Sequence, residues 1–182
     1  MTSAVFLDRD GVVNDTSLEG GEPRPPRSRV DVVIPDDVRP AVATLRDAGF
    51  TLIIVTNQPD VARGRVTLEA VDEINQYLVS TLGLDGVYAC VHDGSDGCEC
   101  RKPKPGMLVR AARDLELDLA TSWLIGDRWV DIAAARAAGV RSVLLERPYS
   151  WAPTSAGSPP TDLVPTFTVP SIMQGALHVV AA

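Results

Sequence analysis

Four apolar residues, Ala4-Val5-Phe6-Leu7, run without a polar break into Asp8-Arg9-Asp10-Gly11. A run that is apolar at every position is what a parallel strand covered on both faces requires, and ligands in open α/β sheets gather where such strands stop. Two carboxylates one residue apart are thereby placed at the rim of a sheet. Alternation along the chain points Asp8 and Asp10 the same way and turns Arg9 aside, while Gly11 lets the backbone come close to a ligand. Paired carboxylates gather negative charge that a cation must offset. Oxygen ligands of this kind suit Mg²⁺, which takes one or two protein carboxylates and fills its shell with water and phosphate oxygens. An isolated D-x-D is short and also fits a plain polar turn, so the rest of the chain has to decide.

The rest of the chain alternates strands with helices. A helix capped by Asp36 or Asp37 runs to Ala48 and stops at Gly49; a second apolar strand, 51–55, leads into Thr56-Asn57-Gln58. Thr67 caps a helix with Leu68, Val71, Ile74, Leu78 and Leu82 at close to helical spacing. Further strands fall at 86–89 or 86–91, at 122–125 and at 143–145, with helices from Pro105 and over 131–138 between them. This order implies right-handed crossovers and a Rossmann-like, doubly wound parallel sheet with helices on both faces. Residues 15–29 hold Gly20, Gly21, Pro23, Pro25 and Pro26, and read as a long non-repetitive loop. One domain is expected over 1–182, with its core in 4–147. Residues 148–165 then form an irregular, proline- and serine-rich start to a tail that adds an edge strand at 167–169 and a last helix over 171–180.

Three strand ends and one helix approach carry groups able to handle a phosphate: Asp8 and Asp10; Thr56 and Asn57; Asp127 with Asp131; and the segment Arg101-Lys102-Pro103-Lys104-Pro105-Gly106. A phosphomonoester dianion repels a carboxylate nucleophile, so positive charge must be in place before attack, and Mg²⁺ with a lysine supplies it. In this reading Asp8 attacks phosphorus and forms an aspartyl-phosphate, and Asp10 protonates the leaving alkoxide and then deprotonates water. Thr56, backbone N–H groups and Lys102 hold the non-bridging oxygens. Asp127 completes the metal site, and Asp131 orients it from behind.

These motifs resemble those of the haloacid dehalogenase superfamily, in Asp8-Arg9-Asp10-Gly11, Thr56, Lys102 and Gly126-Asp127-Arg128-Trp129-Val130-Asp131. Val55-Thr56-Asn57-Gln58, Ala62-Arg63-Gly64 and Cys100-Arg101-Lys102-Pro103-Lys104-Pro105-Gly106-Met107 are similar to hallmarks of its histidinol-phosphatase and heptose-bisphosphate-phosphatase branch. The resemblance spans residues 4–145. It implies a capless phosphatase acting on a small phosphorylated sugar, with a heptose bisphosphate as the expected substrate and histidinol phosphate as the alternative. It also implies Mg²⁺ on Asp8, the main-chain carbonyl of Asp10 and Asp127, with Arg101 and Arg128 meeting the substrate or its phosphates. Two stretches depart from the heptose enzymes: Pro59-Asp60 stands in place of Ser-Gly, and residues 19–29 are rich in arginine and proline. Arg24, Arg27 or Arg29 could hold a second phosphate.

All three cysteines lie in eleven residues, as Cys90-Val91-His92 and Cys98-Glu99-Cys100. Three thiolates and an imidazole make a closed tetrahedral set suited to structural Zn²⁺, whose expected task is to brace the loop presenting Arg101 and Lys102. So few cysteines, so clustered, point to a reducing compartment rather than a disulfide framework. His178 reads as an ordinary surface or helix-packing residue. A net charge of -7 gives little attraction for nucleic acid or anionic membranes. The apolar runs are too short to span a bilayer and the N-terminal residues lack a secretory pattern, so a cytoplasmic monomer or weak homo-oligomer is expected. A zinc-bearing interaction module with a degenerate site would have lost one of Asp8, Asp10, Lys102 or Asp127, and all are present.

Overall fold

A computed structural model describes residues 2–20 and 22–182; Gly21 lies outside them. The elements follow in the order β1 (Ala4–Leu7), β2 (Ser17–Glu19), β3 (Glu22–Arg24), α1 (Val38–Asp47), β4 (Thr51–Asn57), α2 (Leu68–Leu82), β5 (Gly86–Cys90), α3 (Gly106–Asp114), β6 (Trp123–Gly126), α4 (Trp129–Ala138), β7 (Arg141–Leu145), β8 (Phe167–Val169) and α5 (Ile172–Ala181). Six strands form one sheet in the order β5-β4-β1-β6-β7-β8, every neighbouring pair parallel. The expected doubly wound fold is borne out, and the strand expected at 167–169 is its edge.

The period of two along each strand sorts the core into two layers. Val5, Leu7, Leu52, Ile54 and Ile125 pack with Val42 and Leu45 of α1, Ile74 and Leu78 of α2, and Ile172 and Val179 of α5. Ala4, Phe6, Ile53, Val55 and Leu124 face the other way, onto Met107, Leu108 and Ala111 of α3 and Ala134 and Ala135 of α4. Each fully buried Leu or Ile among them contributes about 1.5–3 kcal/mol. The boundaries have local causes. Thr67 Oγ1 accepts from the Ala70 N–H at 3.2 Å to start α2, and Gly83, at φ +64°, ends it in the left-handed region that glycine tolerates.

Two readings change. Residues 15–29 are not wholly irregular, because β2 and β3 pair antiparallel as a small ribbon. Prolines are excluded from central strands but tolerated in such a two-stranded edge, and Pro23 sits in β3. The strand expected over 51–55 extends to Asn57, so Thr56 is still on the sheet. Residues 148–165 lack regular structure as expected, and their first part reaches the sheet's carboxyl edge, where Tyr149 meets Asp127 and residues 153–156 line a cleft. His178 does pack as expected, stacked on Phe167 with ring centroids 4.6 Å apart.

Candidate active site

Strands β1, β4 and β6 are adjacent, so whatever follows them converges. Asp8 continues β1, its N–H donating to the Ile125 carbonyl at 2.9 Å. The chain then turns at Gly11, whose φ of +88° is left-handed and where a Cβ would overlap the Asp127 carboxylate. Gly126, at the end of β6, is likewise filled by Asp131: a side chain there would collide with it.

The centre of the arrangement is Lys102. Its Nζ lies 2.8 Å from Asp8 Oδ1 and 2.6 Å from Asp131 Oδ1, and it also donates to the Val55 carbonyl at 2.8 Å. Burial works against its charge, but Asp131 and Asp8 outweigh burial and raise its pKa above the usual lysine range. The acids shift upward as well, which for them favours the neutral form. Burial, partly countered by Lys102, pushes Asp8 up to about 7, and burial together with Asp8 and Asp131 pushes Asp127 well above the ordinary carboxylate range. Carboxylate oxygens of Asp8, Asp127 and Asp131 all lie within 4.8 Å of one another. Asp127 Oδ2 accepts from the Tyr149 hydroxyl at 2.7 Å, whereas its buried Oδ1 has no hydrogen-bond partner among the described residues. An orphaned oxygen inside a set of hard donors fits a small divalent cation, which would meet the unsatisfied acceptor and offset the crowded charge.

Asp10 is fixed rather than free. Its Oδ1 accepts from Arg9 Nε and Asn14 Nδ2, both at 3.1 Å, and its Oδ2 from Gln58 Nε2 at 2.7 Å, with Arg9 Nη2 at 3.1 Å. Arg9 is therefore not turned aside in the sense expected. It is fully buried and doubles back onto Asp10, anchored by Asn75 Oδ1 at 3.0 Å on α2. These side chains surround a cleft of about 320 Å³ walled by Pro23, Arg24 and Pro25 of the ribbon, by Arg101 and Arg128, and by residues 153–156.

The cysteine cluster lies beside that cleft. Cys90 Sγ is 3.6 Å from His92 Nδ1, 3.7 Å from Cys98 Sγ and 3.1 Å from Cys100 Sγ, and His92 Nδ1 is 3.2 Å from Cys100 Sγ. Zn–S bonds of about 2.3 Å give tetrahedral edges of about 3.8 Å, so the four atoms need move little to close on an ion. Without one, burial and the neighbouring thiols push Cys90 up to about 12. The loop is tied in place by Arg63, which grips Asp93 through Nη2 at 2.6 Å and Nε at 3.1 Å, and by Arg101 Nη1, which donates to the His92 carbonyl at 3.3 Å.

The sequence profile of the haloacid dehalogenase-like hydrolases matches residues 29–139. The D-glycero-beta-D-manno-heptose-1,7-bisphosphate 7-phosphatase of Yersinia pestis is 39% identical over 157 residues, 79% of this chain and 80% of that relative. The enzyme of the same name from Escherichia coli K12 is 36% identical over 79% of this chain and 78% of its own. The chain belongs to the haloacid dehalogenase-like hydrolases. Among solved structures, a D,D-heptose 1.7-bisphosphate phosphatase from B. bronchiseptica, complexed with magnesium and phosphate, superposes with a TM-score of 0.82 at 29% identity over 99% of both chains. The expected family, and the expected class of phosphatase within it, are borne out.

Within this haloacid dehalogenase-like hydrolase the expected residues Asp8, Asp10, Thr56, Asn57, Arg101, Lys102, Asp127 and Arg128 all line the one cleft. Their employment differs from expectation in places. Asn57 exchanges two 3.1 Å hydrogen bonds with the backbone of Lys102, so its amide sets the lysine's register instead of pointing at a ligand. The Thr56 hydroxyl accepts from Gln58 Nε2 at 2.8 Å. Asp131 is not remote from the charge but in direct contact with Lys102. Of the three arginines expected near the leaving group, Arg24 reaches the cleft; Arg29 lies 4.9 Å over the Tyr77 ring, and Arg27 is not among the lining residues. Sequence reasoning missed Gln58 and Arg9 as clamps on Asp10, and missed Tyr149 altogether. Gln58 and Arg9 had a signal, since both sit inside motifs; Tyr149 had none, standing in a stretch whose composition says only loop.

Proposed function

We propose that this phosphatase is Mg²⁺-dependent and hydrolyses the 7-phosphate of a heptose 1,7-bisphosphate, with a structural Zn²⁺ in the loop of Cys90, His92, Cys98 and Cys100. The observation that carries the reading is Lys102 bridging Asp8 and Asp131 while Asp127 keeps one oxygen unsatisfied. Asp8 is the nucleophile. Its Oδ1 is held by Lys102 and by the Arg9 N–H at 2.8 Å, while among the described residues Oδ2 accepts no hydrogen bond and is left to attack phosphorus. The aspartyl-phosphate so formed divides one hard hydrolysis into two easier displacements. Asp10, kept in one orientation by Arg9, Asn14 and Gln58, gives a proton to the departing sugar oxygen and later takes one from the water that cleaves the acyl phosphate.

Asp8, the main-chain carbonyl of Asp10 and Asp127 would hold Mg²⁺, which supplies positive charge against the phosphoryl oxygens when bound. Lys102 and Thr56 face the same oxygens, and Arg101 and Arg128 stand at the cleft mouth for the rest of the substrate. Three thiolates and an imidazole leave a zinc ion no open position, so its part is to stiffen the segment from which Arg101 and Lys102 project. No helix among the described residues is long and apolar enough to cross a membrane.

The test is a comparison of kcat/KM for heptose 1,7-bisphosphate, histidinol phosphate and hexose monophosphates, each with Mg²⁺ and with chelator. Preference for the heptose bisphosphate, abolished by chelation, is expected. Preference for histidinol phosphate, or equal turnover of mono- and bisphosphates, would overturn the substrate assignment.

A further inference from the structure

The segment after β7, unread at the level of sequence, carries a positioning residue. We propose that Tyr149 sets the cation affinity of the site by locking the Asp127 carboxylate in the rotation that aims Oδ1 into the cleft. This rests on the Mg²⁺ reading given above. Tyr149 is buried, and its hydroxyl donates to Asp127 Oδ2 at 2.7 Å. With Oδ2 engaged, Oδ1 is the oxygen left over, and it is the one without a partner. The lock is itself held from several sides. Ser150 Oγ donates to the Asp127 carbonyl at 2.6 Å and accepts from the Arg147 N–H at 2.9 Å. The Ser150 carbonyl accepts from the Trp129 N–H at 2.9 Å, and Trp129 Nε1 donates to the Ala152 carbonyl at 3.0 Å. Gly11 leaves room for this contact, because a Cβ there would meet both Asp127 and the Tyr149 hydroxyl.

A carboxylate free to rotate would lose the preorganisation that such outer partners give a metal ligand. The ring of Tyr149 has a second contact: the Arg128 guanidinium lies over it, 5.8 Å from its centroid, so one side chain adjusts the acid at the floor and supports an arginine at the mouth. Its two ends are separable by substitution.

Calorimetric titration of Mg²⁺ into substrate-free, zinc-loaded enzyme tests the proposal without any phosphate ester. Y149F should weaken Mg²⁺ binding about 10–100-fold, while saturating Mg²⁺ restores kcat to within a few-fold of wild type. Y149L should lose Mg²⁺ affinity to the same degree and, in addition, raise KM for the bisphosphate. In a D127N background the Tyr149→Phe change should have no further effect on Mg²⁺ binding. Unaltered affinity in Y149F, or an equal loss in the D127N background, would overturn the proposal, since a residue that merely packed would not act through Asp127. Wild-type enzyme that binds Mg²⁺ but ignores heptose bisphosphate would instead sink the substrate assignment and leave this one standing.

Discussion

The carboxylate floor and the cysteine loop are both clusters of metal-type donors, and they are built in opposite ways. The floor draws on residues 8, 102, 127, 131 and 149, which meet only because β1 and β6 lie side by side and the chain beyond β5 and beyond β7 folds over their ends; its acids are almost wholly buried, and among the described residues Asp127 Oδ1 is left without a hydrogen-bond partner. The loop is assembled from eleven consecutive residues near the surface, and each donor atom touches another of the set. An open set made by the whole fold can receive a substrate. A closed set made by a short stretch of chain can only hold that stretch in shape.

Substitutions on the two sides should break this contrast if it is false. Asp8→Asn should give the largest effect: turnover falls by about 10⁴-fold or more, with melting temperature and zinc content unchanged, because the nucleophile is lost while the hydrogen-bonding shape is kept. Near wild-type turnover in a phosphate-release assay would mean that the attack is made elsewhere. Lys102→Met comes next. Removing one member of a buried ion cluster strands Asp8 and Asp131, so denaturant unfolding should show a loss of about 3–5 kcal/mol, accompanied by a fall of about 10²–10³-fold in kcat. Smallest is Cys98→Ser, which should lower the zinc content measured by mass spectrometry and raise KM on the order of tenfold, with kcat little altered. If C98S damaged kcat as much as K102M does, the loop would belong to the reacting centre and the contrast would fail.

How far the sequence reached follows the same division. Apolar runs gave the central strands β1, β4 and β6, because burial on both faces leaves few polar positions to confuse the reading. The motif residues of the site were legible because Asp8, Asp10, Thr56 and Asp127 lie at or just beyond strand ends, which parallel strands bring to one edge, and Lys102 lies on the approach to α3. The ribbon at Ser17–Glu19 and Glu22–Arg24 was not legible, since Pro23 argues against a strand and only pairing with each other makes strands of the two segments. Arg9 was misjudged for a related reason. Alternation along a strand gives the direction in which a side chain leaves the backbone, and a long flexible arginine can then turn back to the partner it needs, here Asp10 and Asn75.

What the sequence determined alone was the inventory: a parallel sheet, acids and a lysine at its edge, and a closed thiol–imidazole set in one loop. What tertiary structure decided was employment. It assigned Asn57 to the backbone of Lys102 and Asp131 to its ammonium, and it brought Tyr149, from a proline-rich stretch without a pattern, onto Asp127. Composition and periodicity record what a residue is and which way it starts. The partner that satisfies a buried polar atom is chosen by where distant segments come to rest, and nothing local encodes that.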